Sequence, residues 1–484
     1  MVGFRTISGS GYCSAYIDAL VAGGAVWDMS TGPITFDFGL RYDRLGAIQE
    51  HGGRVSKLKF DGKEYLPSTS VNGVEGAEFI VGDYRDIDAV PVLNALASAS
   101  AVAQISFDVD PVFGDTKRDA STADMVVWKT HLDYWGTSGV WSDADTPQES
   151  FEAGQSQSWL YQSVYFGDAW DRSHPGGMGY TMLLNMVGKA LGLRQAHAEF
   201  PGISYENDPG PLGLNQVPFT VMTGNWSFLN SGHPNGKWGS MKSFGAFDIA
   251  ALQAIYGANM TTATGNNVYE LPTYNDWDEE WGVGRATGWT CIWDAGGKDT
   301  ITARSALRSV VIDLRAATLE NGDPNAGGFI SKHINVAGGF TIAKGAVIED
   351  AVGGSGSDYL IGNSSVNKLT GGSGRDFFVF TTTPNKRTNK DTITDFKVRD
   401  DTIWLENSIF RKLGSKGTEE NPAKLKAAFF KIGDKATDKN DYIIYNKNTG
   451  VLSYDADGSG KGRAVEFAVI KKNLALKYDD FAVI

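Results

Sequence analysis

The chain has 484 residues, with 44 Lys and Arg against 57 Asp and Glu, for a formal net charge of −13. That length holds two or three domains with sizeable cores. That acidity disfavours nucleic acid and anionic membranes as general partners and suits calcium instead.

The first residues, Met1 to Cys13, lack the basic start and apolar block of a signal peptide. Residues 14–27 predict a short helix that stops at Gly23-Gly24, and Thr35 to Phe38 alternates as a strand does. Residues 43–88 carry Gly, Asp and short β-like runs such as Val55–Phe60, and read as an insertion forming an extra hairpin. The Ala-rich stretch 89–103 has helical apolar spacing. Gln104 to Val109 and Ala123 to Trp128 read as strands. The clusters of Asp, Gly, Ser and Trp that follow read as loops to about Gln157. Trp135, Trp141, Trp159 and Trp170 fall in or near these loops, where packing is the expected role of an aromatic side chain. Cys13 and Cys291 are too few for a disulfide scaffold, and no bridge between them is expected. No apolar run reaches about 18 residues, so no transmembrane helix is expected.

From Tyr180 to Gln195, apolar residues at Leu183, Leu184, Val187, Ala190 and Leu191 recur at helical spacing, and Gly192 is placed to turn the chain out through a left-handed residue. A loop rich in Gly, Pro and Asn follows over 201–217. Ala246 to Gly257 is an amphipathic helix with Asp248 near its start and Gly257 as its stop.

The second half changes character. Gly353 to Ile361 and Gly371 to Val379 each begin GGSGxD, and one nonapeptide, Gly362 to Thr370, separates them. This is the G-G-x-G-x-D-x-U-x repeat of a parallel β-roll. Its glycines allow positive φ and expose carbonyls, each Asp adds a carboxylate, and U points into the roll. Calcium takes six to eight oxygens, so neighbouring turns share each ion. Residues 391–406 read as the end of such a roll, 412–440 as a Lys-rich surface insertion, and Asp480 to Ile484 as an acidic residue before an apolar tail.

Together these stretches resemble the serralysins, the secreted calcium-binding metzincin peptidases of bacteria. The resemblance runs from about residue 14 onward, with gaps near 43–88 and 129–157, and is most specific at 256–270, 292–300 and 347–380. It implies an α/β (α+β) metzincin-like domain over 1–257, and over 258–484 an all-β parallel β-roll ending in a type I secretion signal at Asp480 to Ile484. For the first calcium ions it implies Ala263, Gly265 and Asn267, with Asp294, Gly296, Gly297 and Asp299. Further along it implies Val347 and Glu349, then Gly354, Gly356 and Asp358, then Asn363, Ser365 and Asn367. The last group is Gly371, Gly372, Gly374 and Asp376, with Asp395 and Asp401.

Activity does not carry over. The metzincin pattern is His-Glu-x-x-His-x-x-Gly-x-x-His. Aligned on Gly192, it places Asn185, Met186, Lys189 and Gln195 on the first His, the Glu, the second His and the third His, while Gly188 to Leu193 keep the GxALGL scaffold. Met222 matches the methionine of the Met-turn, and Gly224 stands where serralysins carry a Tyr. Two His at i and i+4 would share a zinc ion, and the Glu would be its general base. Asn185 is a poor ligand, Met186 takes no proton, and Lys189 puts an ammonium where a cation belongs. That ammonium is expected either to take carbonyl oxygens of Asn185 and Gln195 or to extend to solvent. His174, His197 and His233 share the domain but form no HxxxH pair, so no zinc is expected. The expected function is that of a secreted, calcium-stabilised pseudo-peptidase that binds a protein or peptide partner in its cleft. Two other readings stay open: a hydrolase with a non-standard site, and an extracellular structural protein acting through its roll.

Overall fold

The computed structural model describes residues 3–39, 58–60, 63–65, 86–109, 123–132, 140–144, 156–163, 175–196, 199–205, 208–225, 239–272, 287–414 and 417–484. Two compact units emerge. The first comprises residues 1–262, 277–293 and 318–327, the second 263–276, 294–317 and 328–484.

The first unit carries a five-stranded sheet. Its order is Phe107–Val109, Ile34–Gly39, Met125–Leu132, Ser156–Ser163 and Val140–Ala144. The first four strands run parallel and Val140–Ala144 is antiparallel to its neighbour. The positions implied by the metzincin resemblance, central for Phe107–Val109 and edge for Met125–Leu132, are exchanged: the first is an edge strand and the second is central. The antiparallel edge strand comes from a stretch read as loop, because Trp141, Ser142 and Asp143 carry no strand pattern on their own. The hairpin expected near 43–88 is present as Leu58–Phe60 against Lys63–Tyr65; the rest of that stretch, and Trp135 and Trp170, lie outside the described residues.

Among the described residues four helices accompany the sheet: α1 (Ala15–Leu20), α2 (Asp86–Val102), α3 (Met178–Ala190) and α4 (Ala246–Tyr256). Helix α2 packs on α3, and α1 on α4. Tyr16 of α1 stacks on Phe247 of α4 with ring centroids 4.6 Å apart, and Phe200 meets Phe247 edge-on at 5.5 Å. Neither Cys13 nor Cys291 is in a disulfide. No described helix is long and apolar enough to cross a membrane.

The second unit is a coil of short strands that alternate between two parallel sheets. One sheet takes Val268–Glu270, Thr300–Thr302, Asp350–Val352, Lys368–Thr370 and Asp391–Ile393; the other takes Val310–Asp313, Tyr359–Ile361, Phe377–Phe380, Thr402–Leu405 and Phe481–Val483. The register explains the repeat. Ile301, Ala351, Leu369 and Ile393 lie side by side in the first sheet. Ile312, Leu360, Phe378, Ile403 and Phe481 do so in the second. Each of these is at most 1% exposed, so every U position faces inward. Burying one such Leu, Ile or Phe contributes roughly 1.5–3 kcal/mol.

One expectation changes here. The Lys-rich stretch 412–440 is not only surface, since Ala423–Lys424 pairs with Phe481–Val483 and Phe430–Ile432 adds to the first sheet through Ile443–Asn446. The apolar tail is a built strand: Phe481, Val483 and Ile484 are 1%, 1% and 4% exposed, and Ile484 N–H donates to the Leu405 carbonyl at 3.1 Å.

Candidate functional site

Helix α3 ends in a glycine turn. Gly192 has φ +98°, its N–H donates to Lys189 O at 2.9 Å, and Leu193 N–H donates to Gly188 O at 2.9 Å. These two bonds close a Schellman motif. Side chains take the next carbonyls: Trp27 Nε1–H donates to Ala190 O, and Tyr256 O–H to Leu191 O, both at 2.8 Å. An end capped this fully leaves no orphan carbonyl in the core.

The turn brings Gln195 back to Asn185. Asn185 is 4% exposed, and its Nδ2 donates to Gln195 Oε1 at 3.2 Å and to Val221 O at 2.8 Å, with Met222 Sδ at 3.7 Å. Three positions scattered in sequence therefore converge. Gly188 is required beneath them, because a Cβ there would stand 2.8 Å from Met222 Sδ. Met186 is fully buried, Lys189 is half-buried, and Gly224 lies at the same turn. Gln195 gives its carbonyl to the Asn185 amide. Neither amide side chain titrates, so these positions offer no general base.

Asp248 holds the turn from below. Its carboxylate accepts from Thr220 O–H at 2.5 Å, Val221 N–H at 2.7 Å and Gly245 N–H at 2.8 Å. Burial pushes its carboxyl up to about 7, against the pull of those donors. Among the described residues, no three His, Cys, Asp or Glu side chains meet closely enough to hold a metal; His174, His197 and His233 lie outside that set.

The turns of the coil form a second candidate site. Before the second sheet, each backbone N–H reaches the carboxylate one rung on: Val310 to Asp358 Oδ1 at 2.9 Å, Asp358 to Asp376 Oδ1 at 3.1 Å, and Asp376 to Asp401 Oδ1 at 3.0 Å. Before the first sheet, Asn267 N–H donates to Asp299 Oδ1 at 2.7 Å, Asp299 N–H to Glu349 Oε2 at 2.8 Å, and Asn367 N–H to Asp391 Oδ1 at 2.9 Å. The glycines sit where backbones touch. A Cβ on Gly372 or Gly374, with φ of +99° and +110°, would overlap the carbonyl oxygens of Gly354 and Gly356.

Several oxygens in these turns are buried without a hydrogen-bond donor: Asn267 Oδ1, Asp299 Oδ2 and Asp376 Oδ2. Burial raises the Asp299 carboxyl to about 6, with the charges of Asp294 and Glu349 adding to the rise. It raises Asp376 to about 7, with Asp401, Asp358 and Asp395 adding. Crowded, undonated carboxylate and carbonyl oxygens are the donor set of a hard cation, so these residues fit calcium.

Residues 258–417 match the family described as Peptidase M10 serralysin C terminal. That stretch is similar to the C-terminal part of the serralysins. The chain is 32% identical over 195 residues to Serralysin G of Dickeya chrysanthemi, covering 40% of this chain and 38% of that protein. It is 32% identical over 204 residues to Metalloprotease AprA of Pseudomonas entomophila (40% and 39%) and 29% over 225 residues to Serralysin of Proteus mirabilis (44% and 41%). It thus spans about two fifths of the length of these serralysins.

Of the residues expected at the first turns, Gly265, Asn267, Asp294, Gly296, Gly297 and Asp299 come together, with Gly297 against the Gly265 carbonyl and Asn267 N–H on Asp299; Ala263, on the same stretch, has φ +51°. Glu349, Asp358, Asp376 and Asp401 occupy the carboxylate rows, and Asp395 accepts from Gly371 and Gly372 N–H at 2.9 and 2.8 Å. Val347 is 43% exposed on its turn. At Asn363 and Asn367 side-chain amides cross-link the rungs, with Asn363 Nδ2 donating to Ile348 O at 2.8 Å and Asn367 Nδ2 to Glu349 O at 3.1 Å, while Ser365 N–H donates to Asn363 Oδ1 at 2.8 Å within the turn. Sequence reasoning missed Asp391, which stands one rung beyond Asn367 and is raised to about 7 by burial. The inserted residues 381–390 break the nine-residue period that would have flagged it.

Proposed function

We propose that this serralysin relative is an exported, calcium-stabilised pseudo-peptidase: a metzincin-like domain without zinc, followed by a calcium-binding β-roll, acting by binding a protein or peptide partner. The observation that carries the reading is the Asn185–Gln195 amide bond, set over Met222 at the positions where the metzincin pattern has two histidines. Amides that bond to each other and to Val221 leave no ligand set for zinc and no base for water. The undonated oxygens of Asn267, Asp299 and Asp376 support calcium in the roll.

Elemental analysis tests both halves. The purified chain should carry several calcium ions and no stoichiometric zinc, and should cleave no member of a peptide library with zinc added. One tightly held zinc ion per chain, or peptidase turnover abolished by changing Asn185 or Lys189, overturns the proposal. Export is tested separately, by whether the chain appears outside cells that carry a type I channel.

A further inference from the structure

The calcium reading names the groups that would touch the ion; the structure also holds one that would not. Tyr269 lies on the first strand of the coil, Val268–Glu270. Its phenol donates to Asp294 Oδ2 at 2.6 Å, and Asp294 Oδ1 accepts from Gly296 N–H at 3.0 Å. The Asp294 side chain is therefore held at both oxygens and is 3% exposed. Tyr269 is itself fixed, with its ring edge-on to Phe340 at 6.4 Å.

A carboxylate oxygen has two lone pairs. One donor on each leaves the other pair free for a cation while removing rotation about the carboxylate. A phenol does this without charge. A Lys or Arg in its place would hold the carboxylate too, but would repel a cation bound there. Asp299, on the same turn, differs: its Oδ1 takes Asn267 N–H and its Oδ2 takes no donor. One carboxylate of the turn is thus set in place by a side chain, and its neighbour by backbone alone.

We infer that Tyr269 is a positioning residue for the first calcium turn, acting through Asp294. The inference rests on the calcium reading above. Outer partners that orient a metal ligand typically contribute 10–100-fold in affinity. Tyr269→Phe keeps the ring on Phe340 and removes only the hydroxyl, so it should weaken one calcium site about tenfold and leave the others unchanged.

The test is a double-mutant cycle read by calcium titration of the full chain: parent, Y269F, D294N and Y269F/D294N. If Tyr269 acts through Asp294, Y269F has no further effect once Asp294 is Asn. Equal losses in both backgrounds, or parent affinity at every site in Y269F, overturn the inference. A second measurement leaves Tyr269 unchanged. In protein carrying 3-fluorotyrosine, one fluorine resonance should move on D294N substitution, and calcium should move the same one in the parent. Calcium leaving that resonance in place also overturns it. A parent chain that binds no calcium refutes the underlying calcium reading instead.

Discussion

Chelation should make the second unit sensitive to alkaline pH, and Asp376 allows the size to be worked out. Without a cation its carboxyl is raised from 3.8 to about 7. The folded state then favours the protonated acid. That contribution is fully present below about 4 and is lost as pH rises through about 7. An interval of about 3 pH units corresponds to about 4 kcal/mol, and solvent screening at the turn halves this to about 2 kcal/mol. For a unit of this size that is a fall in melting temperature of roughly 4–8 °C between pH 4 and pH 8. Asp299, Asp358, Asp391 and Asp401 are raised as well and act in the same direction. Calcium should reverse the trend, since it binds the charged form and competes with protons. Calorimetry in chelator across this range, on parent and Asp376→Asn, provides the assay. The Asn variant should lose the Asp376 share of the slope. A chelated parent more stable at pH 8 than at pH 4, or a variant with an unchanged slope, would refute the reasoning.

Restoring histidines with N185H, K189H and Q195H should create a zinc site measurable by elemental analysis, since the GxALGL turn is intact; peptidase activity should require M186E in addition. Gly188→Ala should cost about 1–3 kcal/mol by driving a methyl into Met222, seen as earlier melting of the first unit. Removing Asp480 to Ile484 strips three buried side chains, Phe481, Val483 and Ile484, from the second sheet, and should destabilise that unit by at least about 5 kcal/mol. A secretion assay on that truncation must therefore be paired with a melting curve in calcium.

The coil was legible because its physics is periodic. Leu360, Leu369 and Phe378 stand nine residues apart and alternate between the two sheets, so motif and geometry carry the same information. Asp391 and Tyr269 were not legible, since one follows an insertion and the other acts across a bend that no spacing reveals. In the first unit, helix α3 and its Gly192 stop could be read from apolar spacing. Val140–Ala144 could not, because an edge strand with polar residues is defined by its partner, here Ser156–Ser163. The Asn185–Gln195 pair lay between. Alignment named both residues, but only the fold shows that the Asn185 amide donates to the Gln195 oxygen.

The turn at residues 220–222 is clamped from two sides. Asp248 grips Thr220 and Val221 from one side, while Asn185 Nδ2 and Ala196 N–H take the carbonyls of Val221 and Met222 from the other, at 2.8 and 2.7 Å. Two of these contacts, from Asp248 and from Ala196 N–H, come from outside positions 185, 189 and 195. A substitution at 185 therefore removes one strut of the turn and leaves the others in place, so the shape of residues 220–222 and the chemistry of position 185 can be varied separately.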